Sequence, residues 1–228
     1  NTFVGYRAGF ELTTSASNTG VGYNALKNSL NCNYNTALGD GALTTNIDGD
    51  SNTAIGFESL LTLEPADGHS YNTALGYRSG RLMTTGNKNT ILGANAGDAA
   101  TTGVSNVLIG YNAGGAMTTS GSNVAVGEES LLTNVKGSNC VAIGRQALKV
   151  MTNASAEDML NVAVGYQAGL AVTSGIKNTL IGGSAGDALT TSSGITAVGY
   201  GALGATTTGL GNTAVGFEAL LISVDGDN

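Results

Sequence analysis

Apolar and polar positions along the chain recur with a long period that is neither helical nor a simple strand alternation. The five-residue unit Asn-Thr-Ala-Val/Ile/Leu-Gly returns, in variants, at Asn1, Asn18, Asn35, Asn52, Asn72, Asn89, Asn106, Asn123, Cys140, Asn161, Asn178, Ile195 and Asn212. Successive starts lie 17 residues apart except for one step of 20 and one of 21, so 13 units account for all 228 residues. Laid on one another, the units form an internal alignment whose columns each ask for a physical reason.

Column five is Gly in every unit, from Gly5 and Gly22 to Gly199 and Gly216, which requires a backbone angle or a close approach that a Cβ would block. Column two is Thr nine times and Val four times, and column four is always Val, Ile or Leu, as in Val4, Leu38, Ile55, Leu92, Ile143 and Val215. That β-branched and aliphatic stripe predicts a short strand whose second and fourth positions face the coil interior. Leu92, Ile109 and Ile143 are accordingly expected inside, where Asp would disrupt folding. Column three then points the other way. It holds only Ala, Gly, Phe, Ile and Leu, and a strand apolar on both faces predicts a second covering, by a subunit contact, with a monomer carrying a small apolar exterior stripe as the alternative.

Column eight is always Ala or Ser, marking a tight place, and column nine is Gly or Leu. In the six Gly units column twelve is apolar (Leu12, Met83, Ala100, Met117, Val172, Leu189). In four of the seven Leu units column twelve is polar and column thirteen apolar, pairing Leu26 with Leu30, Leu43 with Ile47, Leu131 with Val135 and Leu220 with Val224. Two turn variants are expected to fill one core volume by different routes. The Asn opening 11 of 13 units predicts an amide ladder from coil to coil, broken at Cys140 and Ile195. The fold predicted is all-β: a parallel β-solenoid, or β-roll, of 13 coils with a 17-residue repeat, forming one domain over residues 1–228. Stacking at roughly 4.8 Å would give a rod of roughly 60 Å. Neither terminal unit is polar or irregular, which predicts more repeats or caps beyond both ends.

Composition narrows the function. Gly is 36 of 228 residues and only 11% are charged, too apolar for disorder and too Gly-rich for helix. The net charge of -7, with no Lys/Arg cluster, argues against nucleic acid. No run of about 18 apolar residues or signal segment argues for membrane insertion. The single His69 offers no two-His metal site and no Ser-His-Asp arrangement, so the chain is read as no enzyme, with no cofactor. Cys32 and Cys140, seven coils and hence about 34 Å apart, are read as free thiols. The acidic turns at Asp48/Asp50 and Asp225/Asp227 leave calcium open beside an ordinary Asp-Gly turn.

The units at 18–26, 161–169 and 212–220 resemble the head repeats of YadA-like trimeric autotransporter adhesins, and similar units occur in phage tail fibres. The likeness spans the chain, although its 17-residue period exceeds that of those heads. It implies a left-handed β-roll assembled as a homotrimer on a cell or virion surface, where it would touch a host or cell-surface receptor, with a glycan among the candidates. Recognition is expected on the two departures from the period, Leu63 to Tyr71 and Asn153 to Leu160, with Glu64, Pro65, Asp67, His69, Tyr71, Glu157 and Asp158 as candidate residues. The aromatic sixth column (Tyr6, Tyr23, Phe57, Tyr77, Tyr111, Tyr166, Tyr200, Phe217) offers glycan stacking as an alternative. Thr pairs such as Thr84-Thr85 and Thr101-Thr102 offer ice binding, interrupted in seven coils.

Overall fold

A computed structural model describes the chain except residues 66–67, 153–157, 206, 208 and 222–228. Among the described residues there are 13 strands of three residues each and no helix. The chain divides into two compact units, Asn1–Thr119 and Ser120–Asn228. The first holds β1 (Thr2–Val4), β2 (Thr19–Val21), β3 (Thr36–Leu38), β4 (Thr53–Ile55), β5 (Thr73–Leu75), β6 (Thr90–Leu92) and β7 (Val107–Ile109). The second holds β8 (Val124–Val126), β9 (Val141–Ile143), β10 (Val162–Val164), β11 (Thr179–Ile181), β12 (Thr196–Val198) and β13 (Thr213–Val215). Within each unit every strand pairs in parallel with its chain neighbours, each column meeting the same column of the next coil, as Thr2 meets Thr19 and Val162 meets Thr179. The protein is thus an all-β parallel β-solenoid with 17-residue spacing.

The invariant Gly of column five has the predicted steric origin. Its φ lies between 129° and 143° in every coil, and a Cβ on Gly5 would stand 2.5 Å from the carbonyl oxygen of Gly22 in the next coil. No side chain fits between stacked corners.

The amide ladder also forms. Asn18, Asn35, Asn52, Asn72, Asn89 and Asn106 are buried in the first unit. Asn18 Oδ1 accepts the backbone N–H of Asn35 at 2.8 Å, while its Nδ2 donates to the Cys32 carbonyl of its own coil at 2.8 Å. Each Asn therefore closes one coil and docks the next. Cys140 and Ile195 receive the ladder, donating their N–H groups to Asn123 Oδ1 and Asn178 Oδ1 at 2.9 Å each, but have no side-chain amide with which to pass it on.

The strand faces are the reverse of those expected. Column three is the interior: Ala37, Ala54, Ala74, Ile91, Leu108, Ala125, Ala142, Ala163, Leu180 and Ala197 are buried. Column four faces outward, with Leu92 40% and Ile143 39% exposed, and Ile109 is only half-buried. The reason lies across the coil. Column nine, at φ near 50–60°, carries its Leu side chains inward: Leu26, Leu43, Leu60, Leu131, Leu148 and Leu203 are fully buried. Such residues fill the lumen, leaving space for Ala or Gly on the opposite wall. Where column three is large (Phe3, Ile91, Leu108, Leu180), column nine is Gly. A Cβ on Gly97 would meet Leu108 Cδ1 at 2.9 Å, and one on Gly186 would meet Leu180 Cδ2 at 2.9 Å. Where both columns are small, at Ala74 with Gly80 and Ala163 with Gly169, the neighbouring coils fill the space: a Cβ on Gly80 would meet Ile91 Cδ1 and Leu60 Cδ2 at 2.9 Å each, and one on Gly169 would meet Leu180 Cδ1 at 2.7 Å. Volume is thus shared between adjacent coils, as close packing requires.

Column twelve corrects a second expectation. Met83, Met117, Val172 and Leu189 are buried as predicted for the Gly coils. In the Leu coils, however, the polar Ser29, Asn46 and Asn134 are buried too, while Leu30, Ile47 and Val135 stay half-exposed. Asn134 fits inside because its amide is satisfied at both ends, Nδ2 donating to the Gly137 carbonyl at 2.9 Å and Oδ1 accepting the Gly137 N–H at 2.8 Å, which offsets the cost of burial. Asn46 donates from Nδ2 to the Gly49 carbonyl at 2.8 Å, while its Oδ1 and the Ser29 hydroxyl are buried without a hydrogen-bond partner among the described residues. Leu220 with Val224 cannot be placed in this scheme, since residue 224 lies outside the described residues.

Candidate recognition surface

The first insertion is stitched to the stack at both ends rather than hanging free of it. Glu64 N–H donates to the Thr84 carbonyl at 2.8 Å, Asp50 N–H to the Gly68 carbonyl at 2.5 Å, and Lys88 N–H to the Ser70 carbonyl at 2.7 Å. Pro65, expected on a protrusion, is buried beside Gly49, where an added Cβ would stand 2.9 Å from the Pro65 Cγ. Glu64 is exposed, and Asp67 lies outside the described residues. His69 and Tyr71 are exposed and stack, ring centroids 5.5 Å apart at 24°. His69 Nδ1 lies 3.6 Å from Asp50 Oδ2, and Asp50 Oδ1 accepts the Asn33 N–H at 2.6 Å. Of the candidates in this insertion, the structure brings together His69 and Tyr71, and adds Asp50 from the preceding coil.

The second insertion belongs to the second unit. Glu157 lies outside the described residues; Asp158 is exposed and accepts a hydrogen bond from Asn139 Nδ2 at 2.5 Å. Next to it Met159 is buried and its N–H donates to the Ser138 carbonyl at 3.0 Å, so this insertion also rejoins the ladder.

One aromatic residue escaped the reading by insertions. Tyr34 closes the second coil at φ 59°, and Tyr71 closes the fourth at φ 50°, with Ser51 between them at φ 60°. In the seventeenth column only these two are aromatic, a signal available in the internal alignment.

The sixth column is exposed, but every ring except that of Tyr111 meets another ring or an Arg within the protein. Tyr6 stacks on Tyr23 and Phe57 on Tyr77 at 5.4 Å and 12°, and Tyr200 on Phe217 at 5.7 Å and 15°. Arg7 lies over Tyr6, Arg78 over Tyr77 and Arg145 over Tyr166. Rings that present faces to one another along the stack offer mainly edges to a sugar, which disfavours this column as a glycan platform.

In three Thr pairs the first residue is engaged, while the second (Thr85, Thr102, Thr191) is exposed. Thr84 and Thr101 hydroxyls donate to the carbonyls of Thr101 and Thr118 at 3.2 and 3.1 Å, and Thr190 to Thr207 at 3.0 Å. The column-two hydroxyls, in contrast, make no hydrogen bond to another described residue. The outward strand face is therefore an uncharged array of Thr or Val beside Val, Ile or Leu.

Charged residues serve chiefly as cross-coil ties. Arg78 pairs with Glu58 at 2.9 Å, Arg81 with Asp98 at 2.8 Å, and Lys149 with Glu129 at 2.8 Å. Asp48 accepts from Asn31 Nδ2 at 3.0 Å, and among the described residues no group of three or more His, Cys, Asp or Glu is placed to hold a metal ion. Asp225 and Asp227 lie outside the described residues. Cys32 and Cys140 are free and buried, and burial pushes the Cys140 thiol up to about 11. Among the described residues no helix is long and apolar enough to cross a membrane.

Compared with protein-family models, curated proteins and solved structures, the chain finds no significant match.

Proposed function

We propose that this chain is a non-enzymatic segment of a surface fibre or adhesin, carried outside the cell or on a virion, that assembles as a homotrimer and attaches its bearer to a host or cell surface. The observation that carries this reading is the outward strand face. In each unit it presents, coil after coil, an aliphatic fourth column with no charged residue in columns two or four. Contiguous apolar patches of this kind mark interaction sites. A partner that meets every coil must share the repeat, and another copy of the chain does so by construction. The contact thus lies on column four, the exposed aliphatic column, rather than on the buried column three. The lone His69 and the absence of Lys/Arg clusters support a role without catalysis or nucleic acid binding.

Sedimentation equilibrium tests the reading. The wild type is expected to sediment as a trimer, and Leu38→Glu/Leu75→Glu/Leu92→Glu as a monomer with an unchanged β-type circular dichroism spectrum. A wild type that is monomeric at tens of micromolar would overturn it.

A second reading rests on the column-two hydroxyls, free of protein partners and regularly spaced, which is the surface an ice-binding solenoid presents. Thermal hysteresis separates the two readings. Activity in the wild type that is lost on replacing Thr36, Thr73 and Thr90 with Lys would favour ice, and its absence removes that reading.

A further inference from the structure

The seventeenth column turns every described coil at a left-handed corner, and in the first unit it reads Ser17, Tyr34, Ser51, Tyr71, Lys88, Ser105, with φ between 50° and 60° throughout. A left-handed backbone is uncommon for residues other than Gly and is most readily adopted by Asn and Asp. Ser closes the neighbouring coils, so the fold does not require an aromatic ring at this corner. Yet Tyr34 is 68% exposed and Tyr71 50% exposed, both at positions where the ring adds little to the core. Their rings differ from column six, where all but Tyr111 are engaged along the stack: Tyr34 makes no ring contact with a described residue, and Tyr71 stacks on His69 alone.

That stack is held from behind. His69 is bridged to Asp50 along the backbone, with Nδ1 3.6 Å from Asp50 Oδ2, and Asp50 Oδ1 accepts the N–H of Asn33 in the coil that also bears Tyr34. Two coils at the strand spacing put the roots of the two tyrosines about 10 Å apart, and Ser51 is the only residue of the column between them. The surface therefore combines two exposed aromatic residues with a small side chain between them and planar hydrogen-bonding groups at its margin. A pyranose has the complementary chemistry: an apolar face of C–H bonds that lies on aromatic rings, and hydroxyls that pair with carboxylate, amide and imidazole groups. Pre-arranged side chains reduce the ordering cost of binding such a weak ligand. Asp50 borders the site and the chain carries a net charge of -7, which together disfavour sialylated or sulfated sugars, although Lys88 stands next after Tyr71 in the column.

We propose that Tyr34, Ser51, Tyr71 and His69, supported by Asp50 and Asn33, form a binding site for a neutral saccharide. The proposal rests on the surface-attachment reading, since it supplies the ligand class for that attachment. Saturation-transfer NMR on the full chain, with maltotriose, cellotriose, chitotriose and 3′-sialyllactose at millimolar concentration, tests it. At least one neutral trisaccharide should give transfer and sialyllactose none. Tyr34→Ser and Tyr71→Ser, each installing the residue found elsewhere in this column, should weaken binding at least tenfold while melting like the wild type. Silence from all three neutral sugars, equal transfer to sialyllactose, or binding unchanged in both variants would overturn the site. Sedimentation of the same samples keeps the two readings apart. A monomer that binds saccharide defeats the fibre assembly alone, and a trimer that binds none defeats the saccharide site alone.

Discussion

Asn18 Oδ1 accepts the backbone N–H of Asn35 at 2.8 Å, and Asn35 Oδ1 does the same for Asn52 one coil further on. The same side chain thus serves two coils, and its removal strands a donor in one and an acceptor in the other. At Asn89 the two partners are the Asn106 N–H and the Gly103 carbonyl, both at 2.9 Å. Asn89→Leu is expected to destabilise the protein by at least ~1–3 kcal/mol, the cost of a buried polar group left unpaired. The denaturant midpoint measures this, and a midpoint equal to that of the wild type would show that the ladder is dispensable.

The orientation of the strands predicts opposite outcomes at adjacent residues. Ile91 is fully buried and Leu92 is not. Ile91→Ala should cost about 2–5 kcal/mol, and Leu92→Ala no more than about 1 kcal/mol, in thermal melts at protein concentrations low enough to keep the chain monomeric. Ile91→Asp should prevent folding and Leu92→Asp should permit it. The reverse order would restore column four to the interior.

Leu108 and Gly114 form a complementary pair across the lumen, since a Cβ on Gly114 would stand 2.9 Å from Leu108 Cδ2. Gly114→Leu alone is expected to overpack the coil at a cost of about 1–3 kcal/mol, and Leu108→Ala alone to leave a cavity. The double variant restores the Ala37–Leu43 pairing of the third coil, although Met117 Sδ, 2.5 Å from the same Cβ, still crowds the place where that coil has Asn46. Its destabilisation should fall short of the sum of the single ones by about 0.5–3 kcal/mol. Strict additivity in urea unfolding would show that the two positions are independent.

Acid should weaken the second unit through Glu129. The hydrogen bond from Lys149, followed by that from Gln146, holds its carboxyl below the ordinary value of 4.5. A depressed folded value means that the ionised group contributes stability above the unfolded value, and that this contribution is lost as pH falls through the folded one. Glu129→Gln should therefore be less stable than the wild type at pH 7, with the difference disappearing as both are titrated well below pH 4.5. A gap that persists unchanged in acid would assign the effect to something other than ionisation.

Among the candidate recognition residues, His69 and Tyr71 could be found because they break the repeat. Asp50 could not, because its role comes from the way the inserted turn folds back on the coil before it. Tyr34 sits inside a unit of regular length, and only its place in a column of small and polar residues singles it out.

The sequence by itself determined the period, the Gly corners, the amide ladder and the places of the two insertions, because each depends on a residue type that only one local geometry suits. Tertiary structure alone decided which way the strands face. In a strand of three residues, columns two to four are Thr-Ala-Val or close variants, and alternation shows that the middle residue opposes its neighbours without showing which side is inside. The small residue belongs inside because Leu26, Leu43 and their equivalents enter the same narrow lumen from the opposite wall. That competition for volume exists only once the coil is closed.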